Sequence, residues 1–328
     1  RLDSARAVLE PMNPLSWRAS RELALAARAD AWIIPYWTWA WAGLWRFLLR
    51  GSRPPAVAVV HNPVDHDGGV LRQRAAKMVL GRCQALFTHA SSLERHLSES
   101  YPALPVGSYP FPSAASGPAY DRSAARAELD LPSDRRVALF VGLIRPYKGV
   151  DILIDAVARL PAGSDWLLLV AGEPWGDLEE ALKKQVADLG LADRVRLSLG
   201  WIPEAEMPRL LAAAAVLLQP SRYEGFALPL LEAMAVGLPG VVSDSSCLPE
   251  VSGGVWPIAP QDDAVAFAAG IDNMALDEPN RAQAVRAGLD RAAQFTWEET
   301  ARRTAAFFRQ VAGQEPHAAI GRAIGNGR

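Results

Sequence analysis

Two glutamates, Glu224 and Glu232, are separated by seven residues in the stretch 219–232, QPSRYEGFALPLLE. An apolar run, residues 214–220 (AAVLLQP), precedes them and has the composition of a short buried strand. Good helix formers with a proline in the first turn, residues 228–236 (LPLLEAMAV), follow. The sequence therefore predicts a strand, a tight loop and a helix, with Glu224 at the strand side of the loop and Glu232 inside the helix.

The loop between the two glutamates predicts an anion site. Gly225 allows the backbone to approach a ligand closely. The N–H groups of Phe226, Ala227 and Leu228 lie at a helix N-terminus, where they lack helical acceptors and the helix dipole favours an anion such as phosphate. Taken alone, this spacing is a weak signal, because a first-turn helix charge and a surface glutamate would produce it too.

The longer string, residues 224–244 (EGFALPLLEAMAVGLPGVVSD), resembles the donor-binding signature of retaining glycosyltransferases of the GT-B fold, specifically glycosyltransferase family 4, or glycosyl transferases group 1. The family pattern is E-G-F-G-L-P-x-L-E-A-M-A-x-G-x-P-V-V-x-S/T, from which this chain departs at Ala227 and Gly240. The resemblance implies an α/β fold, GT-B, with two Rossmann-like doubly wound domains facing each other across a cleft.

The same resemblance implies a hexosyltransferase that moves a sugar from a UDP- or GDP-sugar to a glycan, lipid-linked or small-molecule acceptor. It implies retention at the anomeric carbon, with no metal and no other cofactor. Glu232 is then expected to hold the ribose hydroxyls and Glu224 to face the donor sugar. The backbone from Gly225 through Phe226 and Ala227 to Leu228 is expected to bind the diphosphate.

A basic loop lies within residues 140–151, FVGLIRPYKGVD. The family pattern G-R-L-x-x-x-K-G places an arginine and a lysine against the leaving diphosphate. Here Leu143 occupies the arginine position and the guanidinium follows two residues later as Arg145, whereas Lys148 matches the pattern. Both cations suit phosphate oxygens, and stabilising the departing diphosphate accelerates transfer. A solvated basic loop without a ligand is the alternative.

His61 and Asn62 directly follow a predicted strand, residues 55–60. Such a histidine is often a structural hydrogen bonder. The segment HNPVDH resembles an H-N-x-x-x-H form of the family, in which a histidine touches the donor sugar, so we expect a site role for His61 and a weaker one for His66. Residues 65–67 also match D-x-D, a metal-binding motif of the other large glycosyltransferase fold, but the surrounding pattern argues against a metal.

Two further strand ends resemble the segments of the family that meet the nucleotide base. Gly172 and Glu173 end one strand, and Trp201 and Ile202 end another. Simple turns at the strand ends are the alternative.

Tryptophans are frequent in residues 32–45. Trp37, Trp41 and Trp45 would share one face if residues 38–51 form a continuous helix, and aromatic faces suit sugar rings or a membrane interface. Burial in the core is the alternative. Peripheral contact with a membrane is therefore kept as a minor hypothesis.

Composition places the chain among globular proteins. It has 328 residues, of which 50% are apolar and 21% charged, and its net charge of −2 offers no general attraction to nucleic acid. The two cysteines, Cys83 and Cys247, support neither a disulfide framework nor a thiolate zinc site. No signal-peptide pattern is present, so we expect a cytoplasmic protein, which would lie at the inner face of the membrane if the peripheral contact exists.

Alternating strand and helix patterns predict two domains. We expect an N-terminal domain at residues 1–112, a donor domain at 113–295, and a terminal segment, 296–328, whose helix crosses back to the first domain. The opening strand and glycine-rich loop of this fold are not found, so we expect the first domain to be incomplete by about one or two βα units.

Two other functions stay open at this point. The chain could bind a nucleotide-sugar without turning it over, or it could be a sugar-nucleotide epimerase of the GT-B type. Product analysis with a labelled donor separates them, since the products are a new glycoside, intact donor or an epimer.

Overall fold

The computed structural model describes residues 10, 13–51, 53–61, 69–112, 120–276 and 278–311. These residues form two compact units. Unit 1 contains the described residues up to Pro110 together with those from Glu298 onward, and unit 2 contains Phe111–Trp297. Each unit is built on a parallel sheet, so the predicted α/β class with two Rossmann-like sheets is confirmed.

Unit 1 has a four-stranded sheet in the order β1-β2-β3-β4. Its elements are α1 (Pro14–Ala26), β1 (Trp32–Tyr36), α2 (Ala42–Leu48), β2 (Ala56–Val60), α3 (Val70–Leu80), β3 (Ala85–Thr88), α4 (Ser91–Ser100) and β4 (Val106–Ser108). Strands β2 and β3 are apolar and almost wholly buried, as expected for central strands of a parallel sheet with both faces covered.

Unit 2 has a six-stranded sheet in the order β10-β9-β8-β5-β6-β7. Its elements are α5 (Arg122–Glu128), β5 (Arg136–Val141), α6 (Val150–Arg159), β6 (Trp166–Gly172), α7 (Leu178–Asp188), β7 (Val195–Leu199), α8 (Met207–Ala213), β8 (Val216–Gln219), α9 (Leu228–Ala235), β9 (Gly240–Ser243), α10 (Leu248–Ser252), β10 (Ile258–Ala259), α11 (Ala264–Leu276) and α12 (Glu278–Ala292). From β5 the chain adds β6 and β7 on one side and then β8, β9 and β10 on the other. The strand order thus reverses between β5 and β8, the place where open α/β sheets bind ligands.

Helix α13 (Trp297–Val311) belongs to unit 1, although it follows unit 2 in the chain. Phe307 packs into a buried cluster with Val57, Ala85, Phe87 and Tyr109. Gly107 makes room for it, because a Cβ at that position would lie 2.8 Å from the Phe307 ring. The Thr300 hydroxyl donates to the carbonyl of Pro110 at 3.0 Å and fixes the start of the helix.

The predicted tryptophan stripe is wrong. The chain makes a 3₁₀ turn at Trp39–Trp41, capped by the Thr38 hydroxyl, and α2 begins only at Ala42. Trp37 therefore precedes the helical backbone and Trp45 is buried, so these rings do not share an exposed face. In the part of the chain that the structure describes, no helix has both the length and the apolarity needed to cross a bilayer.

Gly240 stands where the family pattern has valine, and Trp256 explains the change. A Cβ on Gly240 would lie 2.5 Å from the Trp256 ring and 2.9 Å from the carbonyl oxygen of Leu217. Trp256 is buried, so the indole occupies the volume that a valine side chain would fill. The departure at 240 is thus compensated within the core of unit 2.

We expect Gly240→Val to lower the free energy of unfolding by about 1–3 kcal/mol, the usual cost of overpacking. Gly163→Val is the matched control, because no other group lies within 4 Å of its Cβ position. Chemical denaturation of both variants checks this. Shortening Trp256 to leucine in the Gly240→Val background should recover part of the loss, and strictly additive costs would contradict the explanation.

Candidate active site

The loops after β5 and β8 meet at the reversal of strand order in unit 2. The β5 loop contains a 3₁₀ turn at Pro146–Lys148 and then Gly149, whose φ is 70°. A Cβ on Gly149 would lie 2.6 Å from the carbonyl oxygen of Pro220. Only glycine permits both this left-handed conformation and this approach, so Gly149 lets the two loops come into contact.

A buried ion pair joins these loops. Lys148 Nζ donates to Glu224 Oε1 at 2.7 Å and to Oε2 at 2.8 Å. Gln219 Nε2 and the Ser221 hydroxyl also donate to Oε1, at 2.6 and 2.7 Å. The Lys148 and Glu224 side chains are only 17% and 7% exposed. The structure therefore brings together two predicted site residues that lie 76 positions apart in the chain.

The backbone of Glu224 is fixed as well as its side chain. Its carbonyl oxygen accepts from the Ser246 hydroxyl at 2.6 Å and from Cys247 Sγ at 3.4 Å. Burial raises the pKa of the Cys247 thiol well above its usual value, so this cysteine is a structural donor and not a nucleophile. Removing one partner of a buried, hydrogen-bonded ion pair typically costs about 3–5 kcal/mol.

Arg222 also connects the two loops, through contacts that are separate from the Lys148–Glu224 pair. The sequence analysis did not single out this residue. Its backbone N–H donates to the carbonyl of Tyr147 at 2.7 Å. Its guanidinium pairs with Asp151 at 2.8 Å and with Asp262 at 2.6 Å. The hydrogen bonds to both aspartates raise the pKa of Arg222. Its position next to Tyr223, in the predicted loop after β8, was a sequence signal for a role near the site. Its acidic partners are too distant in sequence to be inferred.

Arg145 lies in the same loop as Lys148 but has different surroundings. Its guanidinium carbon lies 4.7 Å from the centre of the Trp175 ring, and Nη1 donates to the carbonyl of Ile144 at 3.0 Å. Within the described residues, no carboxylate forms an ion pair with Arg145, in contrast to Lys148 and Arg222. The Arg145 charge is thus available to an anion.

Glu232 is a half-buried carboxylate on α9. No hydrogen bond or ion pair joins its side chain to another residue that the structure describes. Burial raises the pKa of Glu232, and the nearby Glu204 carboxylate raises it further. Glu204 begins the turn after Trp201 and Ile202, so Glu232 and the predicted base segment lie near each other. A ligand that donates hydroxyl groups would satisfy this carboxylate.

The N-terminus of α9 forms as the sequence predicts, with one unfavourable feature. Ala227, the cap residue, has φ 62° and ψ 62°, a left-handed conformation that glycine adopts more readily. The ring of Phe226 packs edge-on against Phe111 and Phe295, at centroid distances of 5.5 and 6.1 Å. These ring contacts of Phe226 hold the loop in place. Leu228, the first residue of the helix, is exposed. The N–H groups of Ala227 and Leu228 have no acceptor within the helix.

Gly172 and Gly142 bring the ends of β5 and β6 together. A Cβ on Gly172 would lie 1.8 Å from the carbonyl oxygen of Gly142, so no side chain fits there. Gly200 N–H donates to the Gly172 carbonyl at 3.0 Å and adds the end of β7 to the same edge. Glu173 and Trp201 are exposed and Ile202 is half-buried. The four predicted base-segment residues therefore share one edge of the sheet.

His61 lies in unit 1, at the end of β2, and stacks on Trp37 with ring centroids 3.8 Å apart. His89, which the sequence reasoning missed, follows the neighbouring strand β3, and its ring centroid lies 5.4 Å from that of His61. Burial lowers the pKa of His61 and lowers that of His89 to about 4, while the hydrogen bond of His89 Nδ1 to the Tyr109 carbonyl opposes the shift. Both imidazoles are neutral near pH 7.

His66, Asn62 and the D-x-D residues 65–67 lie outside the described residues. Within the described ranges, no group of three or more His, Cys, Asp or Glu side chains is arranged to hold a metal ion. The expectation of a metal-independent reaction stays a prediction.

We expect Ala227→Gly to raise the free energy of unfolding by up to about 1 kcal/mol, because it removes a left-handed alanine. Ala233→Gly, inside the same helix, should instead lower it by about 1 kcal/mol or more. Denaturant titration of the two variants provides the measurement. Equal destabilisation by both would show that the backbone at 227 is not strained.

The pKa of His89 predicts a loss of stability in acid. Between pH 6.5 and about 4 the unfolded chain binds a proton that the folded chain excludes, so the free energy of unfolding falls as the pH drops through this window. Each unit of pKa shift is worth about 1.4 kcal/mol. His89→Gln should flatten the fall in melting temperature between pH 7 and pH 5. Unchanged pH dependence in His89→Gln would contradict this.

Residues 121–291, about half of the chain, match the family model described as "Glycosyl transferases group 1". D-inositol 3-phosphate glycosyltransferase of Stackebrandtia nassauensis is 34% identical over 240 residues, which cover 69% of this chain and 54% of that protein. O-antigen chain mannosyltransferase B of Escherichia coli is 35% identical over 170 residues, which cover 51% of this chain and 44% of that protein. The chain spans about half the length of the curated relatives it matches.

HepE of Anabaena, solved in complex with UDP and glucose, has a TM-score of 0.78 and 20% identity to this chain. The match covers 90% of this chain and 82% of HepE. At this identity the likeness shows the fold, which is GT-B. The family match spans Arg145, Lys148, Glu224 and Glu232. This chain belongs to the glycosyl transferases group 1 family and has the GT-B fold.

Proposed function

We propose that this chain transfers a sugar from a UDP- or GDP-sugar, with retention at the anomeric carbon and without a metal. Retention and the absence of a metal rest on the family resemblance, whereas binding of the donor is supported by the arrangement of charge at the strand-order reversal of unit 2. This arrangement consists of the Arg145 guanidinium, the N-terminus of α9 and the half-buried Glu232 carboxylate inside α9. Among the residues that the structure describes, Arg145 has no carboxylate partner and Glu232 has no donor. The guanidinium and the helix N-terminus suit a diphosphate, and the carboxylate suits ribose hydroxyls.

Helix α9 sets the spacing of the proposed nucleotide contacts. Glu232 follows Leu228 by four residues, which is about 6 Å along the helix axis. One ribose can span this distance between its hydroxyls and the phosphates at the helix N-terminus. The exposed Trp201 and half-buried Ile202, near Glu204 and Glu232, are assigned to the base, together with Gly172 and Glu173.

Arg145 is assigned to the departing diphosphate, whose charge is greatest in the transition state. Lys148 is also assigned there, but its charge is shared with Glu224. Glu224 Oε2 accepts only from Lys148 among the described residues, so it keeps capacity for a hydroxyl of the donor sugar. His61, in unit 1, is assigned to the same sugar by resemblance alone. The leaving phosphate itself is the candidate for deprotonating the acceptor.

The relatives are named as sugar transferases, which supports sugar transfer by this chain. Their names point to different acceptors, an O-antigen chain in one and D-inositol 3-phosphate in another. HepE was solved with UDP, which is consistent with a nucleoside diphosphate site in this fold. The acceptor, a glycan, lipid-linked compound or small molecule, stays a proposal, as does peripheral contact with a membrane.

Glu232→Ala should weaken binding of UDP or GDP about tenfold while leaving the melting temperature of the free protein nearly unchanged, since no described residue donates to this carboxylate. The wild type should also bind the 2′-deoxy nucleotide less tightly, and Glu232→Ala should lose that discrimination. Calorimetry measures both effects. Glu180→Ala, on the exposed side of α7, is the control. Equal affinity of Glu232→Ala and wild type would remove this residue from the site.

Product analysis with labelled UDP- and GDP-sugars tests the reaction itself. A new glycoside with the anomeric configuration of the donor supports the proposal. Intact donor despite tight binding would indicate a binding protein, and an epimerised donor would indicate an epimerase. Inversion at the anomeric carbon would contradict the proposed stereochemistry.

A further inference from the structure

The cation that the family pattern places at position 143 is absent from this chain, since Leu143 stands there and is partly exposed. Arg145, two residues later, follows Ile144, and its backbone is extended, with φ −131° and ψ 158°. A shift of two residues along extended backbone keeps a side chain on the same side of the chain but moves its Cα by about 7 Å. Arg145 therefore needs an additional constraint if it is to serve the same phosphate.

The loop after β6 provides a fixed platform beside Arg145. Ile144 N–H donates to the Glu173 carbonyl at 2.9 Å, and Trp175 N–H donates to the Ile144 carbonyl at 3.1 Å. Ile144 and Pro174 form a parallel bridge. The two loops thus extend the pairing of β5 and β6 beyond the strands. Trp175 is held by its backbone at a defined distance from Arg145.

The Trp175 ring contributes the remaining restraint. It is 66% exposed, so core packing does not explain its presence, and its centroid lies 4.7 Å from the Arg145 guanidinium carbon. Arginine stacks on an aromatic ring through its flat face, which leaves the N–H groups at its edge able to donate. Nη1 is directed to the Ile144 carbonyl. The other edge donors of Arg145 have no partner among the described residues.

We propose that Trp175 is a positioning residue, which holds the Arg145 guanidinium for the diphosphate of the donor and so compensates for Leu143. This inference rests on the proposed function. A free arginine side chain loses rotamer entropy when it is fixed. The stack with Trp175 restricts the guanidinium before the ligand arrives, so less of that entropy is lost on binding.

A double-mutant cycle between Trp175 and Arg145 tests the proposal. UDP and GDP are titrated into wild type, Trp175→Ala, Arg145→Ala and the double variant, and the tighter nucleotide is used throughout. Trp175→Ala should weaken diphosphate binding about two- to fivefold, the range expected for an exposed cation–π contact. The double variant should bind no more weakly than Arg145→Ala alone. Additive losses would overturn the proposal.

The matching nucleoside, uridine or guanosine, separates positioning from direct contact with the base. It lacks phosphates, so Trp175→Ala should leave its affinity unchanged in ligand-detected titrations by nuclear magnetic resonance. Equal weakening of nucleoside and nucleoside diphosphate would show that Trp175 contacts the base, which overturns the inference. Trp297→Ala is the control, because that tryptophan is 68% exposed and lies at the start of α13.

Rescue gives a second readout in the transfer reaction. Trp175→Ala should lower kcat more than it raises KM, and Trp175→Phe should retain most of the rate. Adding Leu143→Arg to Trp175→Ala should restore kcat, because it returns an arginine to the family position. No rescue, together with additive binding losses, overturns the proposal while the proposed function stands. A wild-type chain that binds neither UDP nor GDP would overturn both.

Discussion

The buried ion pair between Lys148 and Glu224 is the constraint on which the site depends. It connects the loops after β5 and β8, the two neighbouring strands between which the strand order reverses. A carboxylate this deeply buried is stable only with donors around it, which Gln219 and Ser221 provide. Close approach of the loops requires Gly149. The ion pair therefore accounts for the residue types at Gly149, Gln219 and Ser221 without reference to a ligand.

The pair also determines how charge is distributed for a ligand. Lys148 is compensated by Glu224, and Arg222 by Asp151 and Asp262, so both cations stabilise the loops. Arg145 alone among these three has no carboxylate partner within the described residues. A Lys148→Ala variant would therefore combine a lost phosphate contact with an uncompensated buried carboxylate, and its kinetics would not report on phosphate binding alone.

Local patterns in the sequence were enough to predict the strand, loop and helix around Glu224 and Glu232, because apolar runs, a first-turn proline and Gly225 act over a few residues. The resemblance added the fold, which the comparisons confirm. Contacts between distant segments could not be predicted: the Arg145–Trp175 stack, the role of Arg222 and the neighbour His89 all depend on how strands are ordered. The prediction of a tryptophan stripe was wrong because a 3₁₀ turn replaces the expected helix at Trp39–Trp41.

Helix α13 has a consequence for the order of events during synthesis on the ribosome. Phe307 completes the buried cluster around Phe87 and Tyr109, and Thr300 bonds to Pro110 across 190 positions of the chain. At about 5–20 residues per second, translation needs on the order of 10–40 s to cover that interval. Unit 2 is continuous in sequence and emerges whole within it. During this interval part of the apolar core of unit 1 stays uncovered on the ribosome. Chaperone binding in that period would protect it.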